Sequence, residues 1–339
     1  MGTPEGHLDK STPKGIPVSI LTGFLGSGKT TLLNHILTKQ EGIKTAVLVN
    51  EFGEIGIDND LIVKTGEDII ELSNGCICCT INGELLEAIN RILKNNKEIE
   101  YLIVETTGLA DPLPVAMTIN GAREQLRLDS IITLIDAENF SDDMLSSQIA
   151  RSQIIYADIL LINKCDLVNE DKITLIEMKI SEIKNDPRIL KSIKGNVPLG
   201  LLLSVGLFES DRIAKNHVNK NHSHEHNHSH EHEHNHSHEH ELSIEGFTSF
   251  SFQSNYPFLL RKFQNFLDNQ LPSTVYRAKG ILCFEESEIT HIFHLSGKRF
   301  TIDDSDRDRE RKIKLVLIGK NIDHRVLRRQ LEDCISHKT

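Results

Sequence analysis

The sequence predicts an α/β protein in which a mostly parallel sheet carries helices on both faces, followed by a small α+β C-terminal domain. Three observations predict it. Short, fully apolar runs alternate with longer amphipathic stretches through the first part of the chain, as buried parallel strands do when they alternate with helices. A glycine-rich loop, Gly23-Phe-Leu-Gly-Ser-Gly-Lys-Thr30, lies between one such run and the helix-like TLLNHILTK. Beyond a histidine-rich interruption the pattern changes to period-two alternation, the signature of half-buried strands.

Val18 to Leu21, Thr45 to Val49, Tyr101 to Val104, Ile131 to Ile135 and Ile159 to Ile162 are the predicted parallel strands. Residues 1–15 are polar, rich in Gly and Pro, and read as a flexible leader. Residues 16–215 form the first domain. Residues 216–243 contain ten histidines at every second position from His222 to His240, a composition unable to pack a core, and are expected to be a disordered loop. Residues 244–339 form the second domain, with alternation in Phe247 to Phe252 and Ile281 to Phe300 and a helix between Pro257 and Asn269. The mixed-charge run Asp303 to Arg311 is expected to be a solvated loop.

The composition narrows the function. A formal net charge of -11 and a pI near 5.9 argue against a general nucleic-acid surface, which needs grouped Lys and Arg. No apolar run approaches the roughly 20 residues that span a bilayer. Six cysteines, three within Cys76 to Cys79, do not form a disulfide framework in a chain of 339 residues, so a reducing, cytoplasmic setting is expected.

The glycine-rich loop matches the P-loop pattern, so the predicted sheet is of the P-loop NTPase type. Gly23, Gly26 and Gly28 let the backbone N–H groups, with those of Ser27, Thr30 and Thr31, face phosphate oxygens at a helix N-terminus. Lys29 would reach the β- and γ-phosphates, and the Thr30 hydroxyl would ligate Mg²⁺. In Tyr101-Leu-Ile-Val-Glu105-Thr-Thr-Gly108, a buried strand ends in an acid three residues before a glycine. Glu105 there would hold Mg²⁺ and the Gly108 N–H would sense the γ-phosphate. Asn163-Lys164-Cys165-Asp166 selects the base: Asp166 accepts from guanine N1 and N2, where adenine offers no equivalent donors, while Asn163 and Lys164 fix the loop. The expected nucleotides are therefore GTP and GDP. No glutamine stands near Gly108 to orient an attacking water, so slow intrinsic turnover is expected. Asp58 is either a switch contact or an exposed turn acid.

Cys76, Cys78 and Cys79 are close enough for at least two thiolates to converge on one soft or borderline cation. Glu51 or Glu54 would complete a tetrahedral set. The histidine run, His222, His224, His226, His228, His230, His232, His234, His236, His238 and His240, would capture Zn²⁺, Ni²⁺, Co²⁺ or Cu²⁺ as a low-specificity reservoir. The isolated Cys165, Cys283 and Cys334 are expected to be packing residues, and His291 and His294 sheet histidines.

With GFLGSGKTTLL, NEFGEIGID, ELSNGCICCT, VETTGLADP and NKCD in this order, and YRAKGILCFEE and HLSGKRFTIDD after the histidine run, the chain resembles the CobW-like family of P-loop GTPases from Ile16 to about Cys334. The resemblance implies a metal-handling GTPase, either a zinc-linked transferase to a client metalloprotein or a member tied to cobalt in cobalamin synthesis. It also implies Gly23 to Thr30 for phosphate and Mg²⁺, Glu105 for Mg²⁺, Asn163 with Asp166 for guanine, and Cys76, Cys78 and Cys79 for the metal. The segment PLGLLLSVG resembles, loosely, the loop that backs the guanine ring. Three readings stand at this level: a GTP-dependent zinc metallochaperone, a zinc buffer gated by its GTPase site, and a cobalt- or nickel-inserting GTPase. Self-association and client contact are both open to the strand edges and the C-terminal domain.

Overall fold

The computed structural model describes residues 15–39, 44–50, 69–72, 81–96, 98–203, 247–305 and 311–336. The first sheet is seven-stranded and wholly parallel. Its strands are β1 (Ile16–Gly23), β2 (Thr45–Asn50), β3 (Ile69–Leu72), β4 (Tyr101–Glu105), β5 (Leu126–Asp136), β6 (Ile159–Asn163) and β7 (Ile189–Lys191), in the spatial order β3-β2-β4-β1-β5-β6-β7. All five predicted strands are present. The two that sequence reading passed over, β3 and β7, are the shortest and form the sheet's edges, where four or three residues give too little periodicity to detect.

Helices cover both faces. Along α1 (Lys29–Lys39), Leu32, Leu33, Ile36 and Leu37 form one buried stripe at helical spacing, packed with Leu21, Val47, Ile103 and Leu134 of the sheet. On the opposite face, α2 (Ile81–Asn95) and α3 (Pro112–Gly121) contribute Leu85, Ala88, Ile89, Ile92, Val115 and Ile119. The helices α4 (Asp142–Ser146), α5 (Gln148–Tyr156) and α6 (Glu170–Ile183) bury Leu145, Ile154, Ile176 and Ile180 against Leu160 and Ile162 of β6. Side-chain caps from Asp111, Ser141, Ser147 and Asn169 start α3 to α6, satisfying N–H groups that have no partner within the helix. The segment predicted to back the guanine ring instead supplies a short helix, α7 (Leu199–Leu202), whose Leu201 and Leu202 are buried under α1. The apolar content of PLGLLL serves packing.

The second sheet is antiparallel and five-stranded, in the order β11-β10-β9-β12-β8. Its strands are β8 (Phe247–Ser254), β9 (Val275–Cys283), β10 (Thr290–Ser296), β11 (Arg299–Asp304) and β12 (Ile313–Lys320). One face carries Phe250, Phe252, Phe293, Leu315 and Leu317 and packs under α8 (Leu260–Asn265) and α9 (His324–Glu332), with Phe258, Phe263, Phe266 and Phe284 stacked or tilted at 5.0–6.0 Å between centroids. The predicted helix between Pro257 and Asn269 is α8 followed by a π turn, Phe266–Gln270, that keeps Phe266 in this cluster. The expected solvated loop from Asp303 is corrected in part: Asp303 and Asp304 belong to β11, paired with Ile292 and His291. Cys283 and Cys334 are buried packing thiols as expected.

The other face of this sheet meets the first domain. Tyr276 and Ile318 enter the α1-side core. Arg277, with no exposure, donates to Asp129 Oδ2 at 2.8 Å and to the Leu201 and Leu202 carbonyls. Asp129 also accepts from Tyr101 Oη, and burial followed by the Asp129 charge holds the Tyr101 hydroxyl well above its ordinary pKa. All of these contacts lie near the starts of β4 and β5. No helix among the described residues is long and apolar enough to cross a membrane.

Candidate nucleotide site

At the opposite end of the same strands, the P-loop leaves β1 and enters α1. Ser27 N–H donates to Phe24 O at 3.2 Å and Leu32 N–H to Gly28 O at 2.9 Å, which closes the turn and starts the helix. Gly23 ends the strand and Gly26 forms the exposed tip. The Lys29 ammonium folds back onto the loop, donating to Gly23 O at 2.9 Å and Phe24 O at 3.2 Å, which holds the cation over the phosphate cradle. Thr30 is half-buried and Thr31 exposed in the first turn. Gly28 is obligatory: its φ is +100°, and a Cβ would stand 2.4 Å from Asn163 Nδ2.

That contact joins the phosphate loop to the base-recognition loop. Asn163, 2% exposed at the end of β6, donates from Nδ2 to Ser27 O at 3.0 Å. Its Oδ1 accepts from Gly195 N–H and Ser192 Oγ, each at 3.0 Å. The Asn163 amide therefore ties together the P-loop, β6 and the loop after β7, and Ser192 to Gly195, rather than PLGLLLSVG, is the segment behind the guanine motif. Lys164 adopts a left-handed conformation (φ +62°) and its ammonium pairs with Asp136 at the end of β5 at 2.7 Å. Burial alone would raise the Asp136 pKa, but hydrogen bonds from Lys164 and Asn139 bring it below the ordinary carboxylate value. Asp166 follows on the 3₁₀ turn Cys165–Leu167 and is exposed, with its carboxylate open to a base. Cys165 packs between them, its thiol donating to Ile162 O at 3.3 Å and its pKa raised by burial.

Glu105 ends β4 one strand from β1 and is 4% exposed. Thr106 Oγ1 bonds Thr22 Oγ1 at 2.8 Å and Thr106 N–H donates to Leu21 O, so the chain leaving Glu105 is pinned to the strand that feeds the P-loop. Gly108 lies against the loop: a Cβ there would approach Leu25 N to 2.6 Å. Sequence reading missed the residue that sets this distance. Gln153 of α5, 2% exposed, donates from Nε2 to Gly108 O at 3.3 Å and Ala110 O at 3.1 Å. Its amide is committed to the backbone, so it positions the loop. It was invisible in sequence because it lies 45 residues from Gly108, in an ordinary amphipathic helix.

The donor set fits a nucleotide with Mg²⁺. Ser27 Oγ is wholly buried in the cradle and has no partner among the described residues, and a hydroxyl so placed calls for a polar ligand. The Lys29 ammonium, the Thr30 hydroxyl and the Glu105 carboxylate converge on one end of the sheet.

The remaining predicted ligands, Glu51, Glu54, Asp58, Cys76, Cys78, Cys79 and His222 to His240, lie outside the described residues. Their chain anchors do not. The register sets Val49 beside Glu105 and Asn50 beside Leu72, so the residues before Glu51 and before the cysteine block end at the nucleotide edge of the sheet.

The 331-residue alignment with zinc-regulated GTPase metalloprotein activator 1 of Dictyostelium discoideum has 33% identity and covers 85% of this chain and 67% of that protein. The zinc chaperone YjiA of Escherichia coli is 39% identical over 200 residues, 57% of this chain and 62% of YjiA. A crystal structure of Zn(II)-bound YjiA GTPase from E. coli superposes with a TM-score of 0.44 at 26% identity, covering 95% of this chain and 99% of that one. The CobW/HypB/UreG nucleotide-binding domain matches residues 17–191 and the cobalamin synthesis protein CobW C-terminal domain matches 247–335, so the chain belongs to the CobW/HypB/UreG family.

Proposed function

We propose that this protein is a GTP-hydrolysing metallochaperone that couples the nucleotide cycle to the binding of zinc and its transfer to a client metalloprotein. The observation that carries the nucleotide half is the Asn163 amide, which makes the P-loop and the Asp166 turn one rigid receptor for phosphate and guanine together. Lys29 would leave its loop carbonyls to meet the β- and γ-phosphates, and the buried Ser27 hydroxyl would bond a phosphate oxygen. Asp166 would select guanine, with Lys164 held clear of it by Asp136. Thr30 and Glu105 would hold Mg²⁺, which when bound would supply positive charge to offset the negative charge that develops on the phosphates during hydrolysis. Gly108, set by Gln153, would report the γ-phosphate through its N–H.

The metal half rests on Cys76, Cys78 and Cys79 and on where the chain enters and leaves them. Leu72 ends beside Asn50 at the strand end that bears Glu105, and α2 begins at Ile81. A cation bound by thiolates in this stretch would have different affinities in the GTP and GDP forms, and by linkage would shift nucleotide affinity in return. Zinc is the cargo favoured by thiolate and carboxylate donors together, and the similarity to proteins named zinc chaperones supports it. The test is zinc affinity of the protein loaded with GDP or with a non-hydrolysable GTP analogue. A difference of fivefold or more, absent in Cys76→Ser, is expected; equal affinities in both forms would refute coupling.

A further inference from the structure

A polar cavity of about 180 Å³ lies where the two domains meet, at the end of the sheet away from the P-loop. Lys184 and Arg188, from the segment between α6 and β7, line one side. Lys298 and Arg299, from the turn between β10 and β11, line the other, and Asp158 and Asp186 complete the wall. The carboxylates are already engaged: Asp158 accepts from Arg299 Nε and Ile131 N–H, each at 2.8 Å, and Asp186 pairs with Lys298 at 3.5 Å. Two cations remain without a carboxylate among the described residues. Lys184 has only the Ile155 carbonyl, at 2.6 Å. Arg188 is 4% exposed; its Nε donates to Val275 O at 2.9 Å, but its Nη1 is buried with no partner.

An unpartnered guanidinium N–H in a low-dielectric wall is costly, and the four cations against two carboxylates around this cavity favour an anion there. Burial lowers the Lys184 pKa against the pull of Asp158, and Lys298, Arg188 and Arg299 lower it further, so the cluster is short of negative charge. The cavity is too small for a nucleotide and has room for a phosphate group with a short attached carbon chain.

We propose that this junction cavity binds a small oxyanion of the phosphate class, inorganic phosphate or a phosphomonoester, with Lys184 Nζ as the direct ligand, the Arg188 guanidinium adding positive charge behind it, and Lys298 and Arg299 as the opposing wall. Because each domain supplies cations, the anion would bridge them and stabilise their docking. The site is independent of the metal reading above.

The test uses full-length protein saturated with Mg²⁺ and a non-hydrolysable GTP analogue, so that the P-loop is filled. Inorganic phosphate and glycerol phosphate are titrated separately, read by calorimetry and by thermal melting. One saturable event and a rise in Tm are expected for at least one anion. Tighter binding of glycerol phosphate would identify a phosphomonoester as the ligand, and tighter binding of inorganic phosphate the free anion. Lys184→Gln should weaken binding about tenfold, as loss of one charge-assisted contact does, while Lys184→Arg should retain it within about threefold. Lys298→Gln, at an exposed position, should weaken it less, and analogue affinity should stay unchanged throughout. No saturable binding of either anion to the wild type would overturn the proposal. So would affinities that are the same in the wild type, Lys184→Gln and Lys298→Gln.

Discussion

At the scale of single residues, the site depends on side chains whose roles differ in how openly the sequence states them. Gly28, Lys29, Thr30, Glu105 and Asp166 were legible because their chemistry follows from spacing within a strand-loop-helix unit. The partners that hold them were not. Asp136, which holds Lys164, ends another strand, Ser192 and Gly195, which hold Asn163, lie in the loop after β7, and nothing local marks them. Asn163→Ala should remove three hydrogen bonds and leave the Ser27 carbonyl buried, with a loss of about 1–3 kcal/mol of stability in denaturant unfolding together with weaker GTP binding. Asp166→Asn should behave differently, since the residue is exposed. Its melting temperature should match the wild type, while GTP affinity falls about 10- to 100-fold and discrimination against ATP narrows, measured by fluorescent-nucleotide competition.

At the scale of elements, the five central strands were readable because burial on both faces makes them continuously apolar, whereas edge strands β3 and β7 and the strand portion of Asp303-Asp304 were not. Polar residues are accommodated on β11 because it is the edge strand of its sheet, where Asp304 pairs with β10 and stays exposed. The helix α5 fixes a loop of the candidate site without entering it. Its Gln153 fixes the chain after Glu105 from behind, so Gln153→Leu, close in volume, should preserve the helix but release Gly108. Hydrolysis should slow about tenfold while GTP affinity moves less than threefold, as expected when an interaction that matters mainly in the transition state is lost. An equal loss in both would assign Gln153 to ground-state binding.

At the scale of the molecule, strands β4 and β5 run from the domain junction to the nucleotide edge, so both ends of one sheet are occupied. The junction is held by the buried Arg277–Asp129 pair, 1% and 2% exposed in their side chains. Arg277→Leu should leave the buried Asp129 with the longer Arg127 ion pair, at 3.7 Å, and cost about 3 kcal/mol, with Asp129→Asn in the same chain recovering part of it. The junction also buries His294, which faces Arg127, Lys279, Asp129 and Arg277; burial and then the Arg127 and Lys279 charges depress its pKa to about 2. The folded state therefore refuses a proton that the unfolded chain accepts near pH 6.5. Between those values the unfolded state binds more protons, so stability falls as pH drops below about 6.5, by about 1.4 kcal/mol per unit from this one group. His294→Gln should remove about 1.3 kcal/mol of the stability difference between urea melts at pH 7 and pH 5.5.

The proposed coupling of nucleotide to metal also belongs to the scale of the whole molecule, and its most direct test is GTP hydrolysis by metal-free protein with and without one equivalent of zinc, run beside Cys78→Ser. A zinc-dependent change in turnover that disappears in the variant is expected. Zinc binding with turnover unchanged in both proteins would contradict it and leave a GTPase whose metal is merely stored.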